Sequence, residues 1–514
     1  MGSERDLVVG LDLGTTRCKA VAVTAAGEVV DSATGAYPLH SPHPGWAEQS
    51  AGDIWQGAAG ALKALTGRIA AERVAAISLS GAMHSLVLVD EAGLPLTPAL
   101  TWADQRAAPQ AQALRAQVDG WALYQRTGCP VQSIYHLAKV RWWHEAQPEL
   151  ARHAARFVSL KDWICWQLTG AWTTDIGLAS TTGLLDIHSL AWDTEALTLA
   201  GITAEKLPNL IRPEGVAGAV TPAAARDTGL TTGLPVVAGS SDGATANLGS
   251  GAVRPGQSVV TMGTSGAVRR VVAQPLLDRA QRTWCYVSDE GQWFAGGAIN
   301  NAGLALQWVR ERFYPDVPGD AGYLQLMQDA ASVAPGAEGV RLLPYFTGER
   351  SPYWNPNARA QLSGLGLPHT RAHIARAVLE GVAYCLADVW EVLEAEAPSA
   401  ALPTVGGAVA GDAPSGGEVR LTGNVTHSPA WAQIVADVLG VTLLADEAAD
   451  ASALGAAFMG HLALGHLTRR EDVAAAMPPG IAYVPKPARH ELYQAEHRVF
   501  QALYRAMLQT EPAS

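Results

Sequence analysis

The sequence predicts an α/β protein in two halves, each with a sheet that opens on a β-hairpin bent around an anion-binding turn. One observation is Gly10-Leu11-Asp12-Leu13-Gly14-Thr15-Thr16, a hydroxyl-bearing glycine turn between the strand-like runs 6–10 and 19–23. A second is Met262-Gly263-Thr264-Ser265-Gly266, placed in the same way between 257–261 and 267–272. The third is length: 514 residues exceed a single core and suggest about two to three domains. Such a turn gathers backbone N–H groups and hydroxyls into a concave site for an anion such as phosphate. Asp12 inside the first turn would repel that anion unless a cation lay between them, which points to magnesium. The pair of turns suggests one nucleotide clamped between two halves.

Composition narrows the classes. Lys and Arg number 36 against 48 Asp and Glu, a net charge of −12, so long-range electrostatics disfavour nucleic acid and acidic membranes. A hydrophobic content of 48% indicates well-filled interiors. The five cysteines (Cys18, Cys129, Cys165, Cys285 and Cys385) are widely spaced without a C-x-x-C pair, and read as buried thiols of a reducing compartment. His40-x-x-His43 and His369-x-x-x-His373 have metal-like spacing but no neighbouring ligand set in sequence, so no metal is expected there. There is no signal-like apolar segment at the start and no run near the ~20 residues of a membrane span; the cytoplasm is the expected location.

Along the chain, residues 6–37 read as a β-meander (7–13, 18–23, 28–35) and 53–71 as a helix. A β-run at 74–79 ends in Ser80-Gly81-Ala82-Met83-His84, is resumed at 85–89, and is followed by 96–100 ending in Thr101-Trp102-Ala103-Asp104-Gln105-Arg106. Open α/β proteins place ligands at such strand ends, which makes His84, Asp104 and Arg106 site candidates. Residues 136–170 read as helical and Trp-rich, with Lys161-Asp162 among the aromatics. A buried-strand pattern at 235–239 leads into Ser240-Ser241-Asp242-Gly243, and a domain boundary is expected near residue 250. In the second half, 300–313 is a helix with Gly303 and Gln307 four apart on one face. Apolar residues at threes and fours predict a long helix over 371–396. Ala, Gly, Pro and Ser dominate 397–417, the expected mobile loop. A strand and turn at 419–424 and a helix over 429–439 follow.

This order of motifs resembles the FGGY carbohydrate kinases from about residue 7 to 465. Ala360-x-Leu362-x-Gly364-Leu365, then seven residues, then His373-Ile374-x-x-Ala377-Val378-Leu379-Glu380 is similar to that family's second signature throughout. Around 135–145 the first signature keeps Lys139 and Trp142, while His136 and Trp143 depart from it. The resemblance implies an actin/hexokinase-like (ribonuclease H-like) fold: two lobes, each with a mixed sheet, and an interdomain cleft closing on ATP and a sugar. Residues 1–250 would be the sugar-binding lobe, with the first phosphate turn and the catalytic Asp. Residues 251–514 would be the nucleotide-binding lobe. Ala82-Met83-His84-Ser85, Thr101–Arg106, Ser241-Asp242-Gly243 and Gly296-Gly297-x-x-Asn300-Asn301 look most like the gluconate kinases. Xylulose kinases, the next nearest group, usually show Gly-Gln-Met-His-Gly at the first of these. The implied reaction is ATP-dependent phosphorylation of D-gluconate to 6-phosphogluconate, with D-xylulose as the alternative acceptor.

The resemblance implies roles residue by residue. Asp242, a strand-end carboxylate beside Gly243, would accept the proton of the sugar hydroxyl. Asp12 would bind magnesium, Gly14, Thr15 and Thr16 would meet the transferred phosphoryl group, and Lys19 would neutralise its charge. Gly263, Thr264 and Ser265 would grip the phosphates of ATP. The adenosine would lie against Gly303, Gln307 and a Gly-Gly turn that is Gly423-Asn424 here, followed by Ser428. Asn tolerates positive φ, so this turn is expected to keep its backbone. Met83, His84, Asp104 and Arg106 would hold the sugar, with Arg106 or Lys161 pairing a gluconate carboxylate. The residues admit two rival readings. Gly239-Ser240-Ser241-Asp242-Gly243 fits G-x-S-x-G with Ser241 as nucleophile, but 244–250 reads as too short and glycine-rich for the helix an elbow needs. A non-catalytic sensor on the same fold would be expected to lose Asp12 or Asp242, and both are present. The expected partner is a small-molecule sugar or sugar acid; a homodimer is compatible with the sequence.

Overall fold

Strands β1 (Leu7–Leu13), β2 (Arg17–Thr24), β3 (Val29–Ala36), β4 (Val74–Gly81), β5 (Val216–Ala219) and β6 (Pro235–Ser241) form one mixed sheet in the order β5-β6-β4-β1-β2-β3. The β3-β2-β1 meander is antiparallel, β1-β4 and β4-β6 are parallel, and β5 closes the edge antiparallel. The computed structural model describes residues 5–397, 418–445, 450–477 and 480–510. A second sheet contains β7 (Ser258–Met262), β8 (Gly266–Val272), β9 (Val419–Thr422), β10 (Leu443–Ala445) and β11 (Ile481–Tyr483) in the order β8-β7-β9-β10-β11. Its pairings run antiparallel, parallel, parallel, antiparallel, repeating the sequence from β2 to β5 in the first sheet. Each glycine turn recognised in the sequence is the tip of its sheet's leading hairpin, with Leu13 opposite Cys18 and Met262 opposite Gly266.

The sheets belong to two compact units, Met1–Val253 with Val272–Phe294 and Asp450–Met477, and Arg254–Val271 with Ala295–Ala449 and Pro478–Ser514. The first break lies beside the boundary expected at 250, but two later segments rejoin the first unit. Close packing explains the return of the second. Leu7, Val9 and Leu11 of β1 bury one face against Ile54, Leu62 and Leu65 of helix Ala51–Thr66, each side chain worth about 1.5–3 kcal/mol. The other face receives helix Ala451–Ala463 almost backbone to backbone: a Cβ on Gly10 would lie 2.1 Å from the Ala453 carbonyl oxygen, and one on Gly455 would lie 1.8 Å from that of Thr245. Only glycine permits this approach.

Helix Arg371–Glu396 runs as the periodicity predicts, and helix Pro429–Leu439 forms where the sequence places it. Residues 136–170 do not form one helical stretch. Pro148 starts a new helix after His136–Ala146, because proline lacks the N–H a continuing helix needs. Arg156–Val158 then pairs antiparallel with Val87–Val89 before helix Leu160–Thr169. The stretch 397–417 lies, apart from Ala397, outside the described residues.

The long second motif is architectural in the second unit. Thr370 caps helix Arg371–Glu396 in a capping box whose returning acceptor is His373. Glu380 is buried against Arg376 (2.6 Å), Tyr493 (2.9 Å) and the Gly336 N–H (3.0 Å). The fold brings Glu338 within 3.5 Å of His373, beside His369, a carboxylate that sequence spacing did not reveal. Yet Nδ1 of His373 accepts the Thr370 N–H (3.1 Å) and Nδ1 of His369 accepts that of Gly366 (2.8 Å). Each neutral ring therefore carries its proton on Nε2 and offers no lone pair there.

Candidate active site

In the first unit, Asp12 occupies the end of β1 at the first turn, half-buried. Its Oδ1 accepts the Ser80 hydroxyl at 2.5 Å, and Ser80 Oγ lies 2.9 Å from Thr245 Oγ1. Thr245 in turn donates to the carbonyls of Ser241 (3.0 Å) and Asp242 (3.1 Å). Asp242 opens helix Asp242–Gly249, capped by Ser241, and Ser452 Oγ donates to its carbonyl at 3.2 Å from the start of helix Ala451–Ala463. Two helix N-termini, positive ends of their dipoles, thus meet where Asp242 stands. Lys19 reaches Asp450 at 3.2 Å.

Burial, and then the carboxylates of Asp450 and Asp242, push the Asp12 carboxyl up to about 7, while the Ser80 hydrogen bond and Lys19 act the other way. Negative charge thus gathers around Asp12 with Lys19 as its counter-charge; the oxygen donors of Asp12 are of the kind that magnesium takes. The turn itself is braced: Tyr37 donates to the Gly14 carbonyl (2.7 Å), Gln49 to the Thr15 carbonyl (2.6 Å), and Trp102 Nε1 to Thr15 Oγ1 (3.0 Å). Thr16 is exposed.

The strand-end candidates for the sugar divide into two groups. His84 is buried at φ 66°, a conformation that a residue with a side chain adopts only when its surroundings impose it. Its Nδ1 donates to the Thr181 carbonyl at 2.8 Å, and its own carbonyl accepts the Lys139 ammonium at 2.6 Å. Tyr135 and Tyr286, joined by their hydroxyls at 2.9 Å, flank its ring. Met83 beside it is half-buried, and Gly243 donates its N–H to Asp242 Oδ1 at 2.7 Å. Asp104 and Arg106 form a buried pair instead. Arg106 Nη2 contacts Asp104 and Glu48 at 2.7 Å each, and its guanidinium lies 3.6 Å over the Trp46 ring. Lys161 is also buried, paired with Asp175 at 3.0 Å and Asp162 at 3.6 Å. Both cations therefore already have internal carboxylate partners.

In the second unit, the turn Gly263–Ser265 is held by the helix that follows in space. The N–H groups of Ala302 and Leu304 donate to the Thr264 carbonyl, both at 3.1 Å, and that of Gly303 to the Gly263 carbonyl at 2.9 Å. Thr264 is exposed and Ser265 half-buried. Gln307 donates to Glu311 at 2.8 Å, and Ser428 to the Met327 sulfur at 3.3 Å. The positive φ of the next turn falls on Gly423 (φ 90°), where a Cβ would lie 2.5 Å from the Met262 carbonyl. Asn424 instead begins a turn of 3₁₀ helix, so its tolerance of positive φ is not used.

Residues 7–249 match the N-terminal domain of the FGGY family of carbohydrate kinases, and residues 258–464 its C-terminal domain. The chain belongs to this family. This carbohydrate kinase is 34% identical over 473 residues to the gluconokinase of Bacillus subtilis (strain 168), spanning 91% of its own length and 89% of the relative's. It is 30% identical over 506 residues to the xylulose kinase of Escherichia coli (strain K12), spanning 98% and 99%. Its fold superposes on the crystal structure of gluconate kinase from Lactobacillus acidophilus with a TM-score of 0.89 at 27% identity, over 98% of both chains. The kinase thus has the two-domain α/β, actin/hexokinase-like fold with a mixed sheet in each domain. Carbohydrate kinases of this family use ATP, generally with Mg²⁺. Among the described residues, no helix is long and apolar enough to cross a membrane.

Sequence reasoning overlooked Ser80, Thr245, Asp450 and Ser452 in this kinase. The signal for the last two was the run Asp450-Ala-Ser-Ala-Leu-Gly-Ala-Ala, small enough for a helix to lie directly on a strand. It also misjudged 244–250, where helix Asp242–Gly249 forms despite its glycines. Ser241 is fully buried, and its Oγ accepts the Ala244 N–H at 3.3 Å as the helix cap. That is the work of a cap rather than of an exposed nucleophile.

Proposed function

We propose that this kinase transfers the terminal phosphoryl group of ATP to D-gluconate, giving 6-phosphogluconate, with Asp242 as general base. In this reaction the acceptor oxygen forms a bond to the γ-phosphorus as the bond to the β–γ bridging oxygen breaks. The hydroxyl proton passes to the Asp242 carboxylate. Such a transfer asks the protein for alignment, charge neutralisation and a proton acceptor. Asp242 suits the last task because its backbone is tied by Thr245 and Ser452 while its side chain stands at a helix N-terminus. Asp12, with Asp450 nearby, would hold magnesium, which when bound offsets the negative charge of the phosphates. Thr15 and Thr16 would contact the transferred group, with Lys19 contributing positive charge. Thr264 and Ser265 would hold the phosphates, and Gly303, Gln307, Gly423, Asn424 and Ser428 would lie along the adenosine. Met83 and His84 would line the acceptor site.

The observation that carries the choice of gluconate is the 34% identity to a gluconokinase over 91% of the chain. One observation favours xylulose as a second reading: Arg106 and Lys161 are both engaged by buried carboxylates, and an uncharged ketose needs neither. A coupled assay with ATP and magnesium across gluconate, xylulose, ribulose and glycerol tests the choice. The proposal expects the highest kcat/KM for gluconate; a higher value for xylulose would replace it with the second reading.

A further inference from the structure

We infer that Lys161, together with Asp175, is a positioning pair that holds the bulged end of β6 and thereby aims Asp242, rather than a ligand of the acceptor. The inference rests on the reading of Asp242 as general base. The register between β6 and β4 slips between Val237 and Ser240. Gly239 sits at the slip with φ 64°, so close to β4 that a Cβ would lie 1.5 Å from the Leu79 carbonyl oxygen. Such a bulge bends a strand and re-aims the residues beyond it. Here those residues are Ser240, Ser241 and Asp242.

The bulge turns the N–H groups of Ala238 and Gly239 away from β4, to the carbonyls of Gly215 and Pro213. Lys161 Nζ donates to the Ala238 carbonyl at 2.9 Å. Its stem crosses the end of β4 at Gly81, where a Cβ would sit 2.8 Å from Lys161 Cβ. On the other side of the ammonium, Asp175 Oδ1 accepts the Ser240 hydroxyl at 2.7 Å and the Leu178 N–H at 2.8 Å. One buried ion pair therefore grips the bulge at two points, a carbonyl before Gly239 and a side chain after it. Lys161 and Asp175 are respectively 2% and 0% exposed. Asp162, 3.6 Å from the ammonium, is the other charged group facing it. A buried ammonium with two carboxylate neighbours and a carbonyl acceptor is already neutralised, as a ligand for a substrate carboxylate is not.

Removing Lys161 alone would leave Asp175 buried and uncompensated, which threatens folding. The test is therefore the paired variant Lys161→Met with Asp175→Asn, in which the new amide keeps an acceptor for Ser240 and Leu178. Ser240→Ala serves as a milder second variant that leaves the ion pair whole. Each is assayed with the acceptor of highest kcat/KM in the panel above. A positioning role predicts that kcat falls about 10- to 100-fold in the paired variant, and about 3- to 10-fold in Ser240→Ala, with KM for acceptor and for ATP within about two-fold of wild type. A selective rise in acceptor KM with kcat retained would overturn the inference and restore Lys161 as a substrate ligand. Unchanged kcat in Ser240→Ala, or in a folded paired variant, would overturn it as well. Failure of the base reading is seen separately, as turnover that survives Asp242→Asn in an otherwise wild-type chain.

Discussion

Replacing Asp12 by Asn is expected to stabilise the metal-free protein at alkaline pH while greatly reducing its turnover. Burial and the neighbouring Asp450 and Asp242 raise this carboxyl from 3.8 to about 7. Below about pH 4 it is protonated in folded and unfolded chains alike and costs nothing. As pH rises towards 7 the unfolded chain releases its proton first, so folding becomes less favourable; above pH 7 the penalty is complete. Roughly three pKa steps at about 1.4 kcal/mol each set a ceiling of about 4 kcal/mol. Asp12 retains some contact with solvent, and screening reduces the expected gain to about 1–2 kcal/mol, or a few degrees of melting temperature. Asn keeps the acceptor that Ser80 uses. Thermal melts of wild type and Asp12→Asn, without metal at about pH 8 and about pH 4, read the difference. The variant should melt higher at pH 8 and level with wild type at pH 4, and millimolar magnesium should raise the wild type alone. A variant no more stable at pH 8 than at pH 4, relative to wild type, would refute the picture of Asp12 as a carboxylate crowded by its neighbours.

Other consequences follow from packing and charge. Gly455→Ala puts a Cβ where the Thr245 carbonyl now lies, and should lower stability by about 1–3 kcal/mol and reduce kcat by shifting Asp450; an unchanged melting temperature would contradict the close packing. In the second unit, although burial opposes its charge, Asp388 and Glu391 hold His497 up to about 9. Its contribution is present below about pH 6.5 and lost as pH rises through 9, up to about 3 kcal/mol. Melts from pH 6 to 10 should show this fall in wild type, and His497→Gln should flatten it.

Much of this arrangement was legible in the chain. The leading hairpin of each sheet is announced by a glycine turn between apolar β-runs, and helix Arg371–Glu396 by apolar residues at threes and fours, because local sequence decides both. What sequence did not disclose depends on contacts between distant segments. Asp450 lies 438 positions after Asp12, and only the glycine-lined seat of helix Ala451–Ala463 on β1 joins them. Asp104 and Asp162 stand beside Arg106 and Lys161 in sequence, but their further partners, Glu48 and Asp175, lie 58 and 14 positions away and are brought in only by the fold. Arg156–Val158 is too short to stand out as a strand; its pairing with Val87–Val89 defines it.

The most direct test of the account compares Asp242→Asn with wild type by rapid-quench single turnover, alongside calorimetric binding of ATP and of the acceptor. The account predicts that both ligands bind within a few-fold of wild type while phosphoryl transfer slows about 10²- to 10⁴-fold. Transfer at the wild-type rate would contradict it.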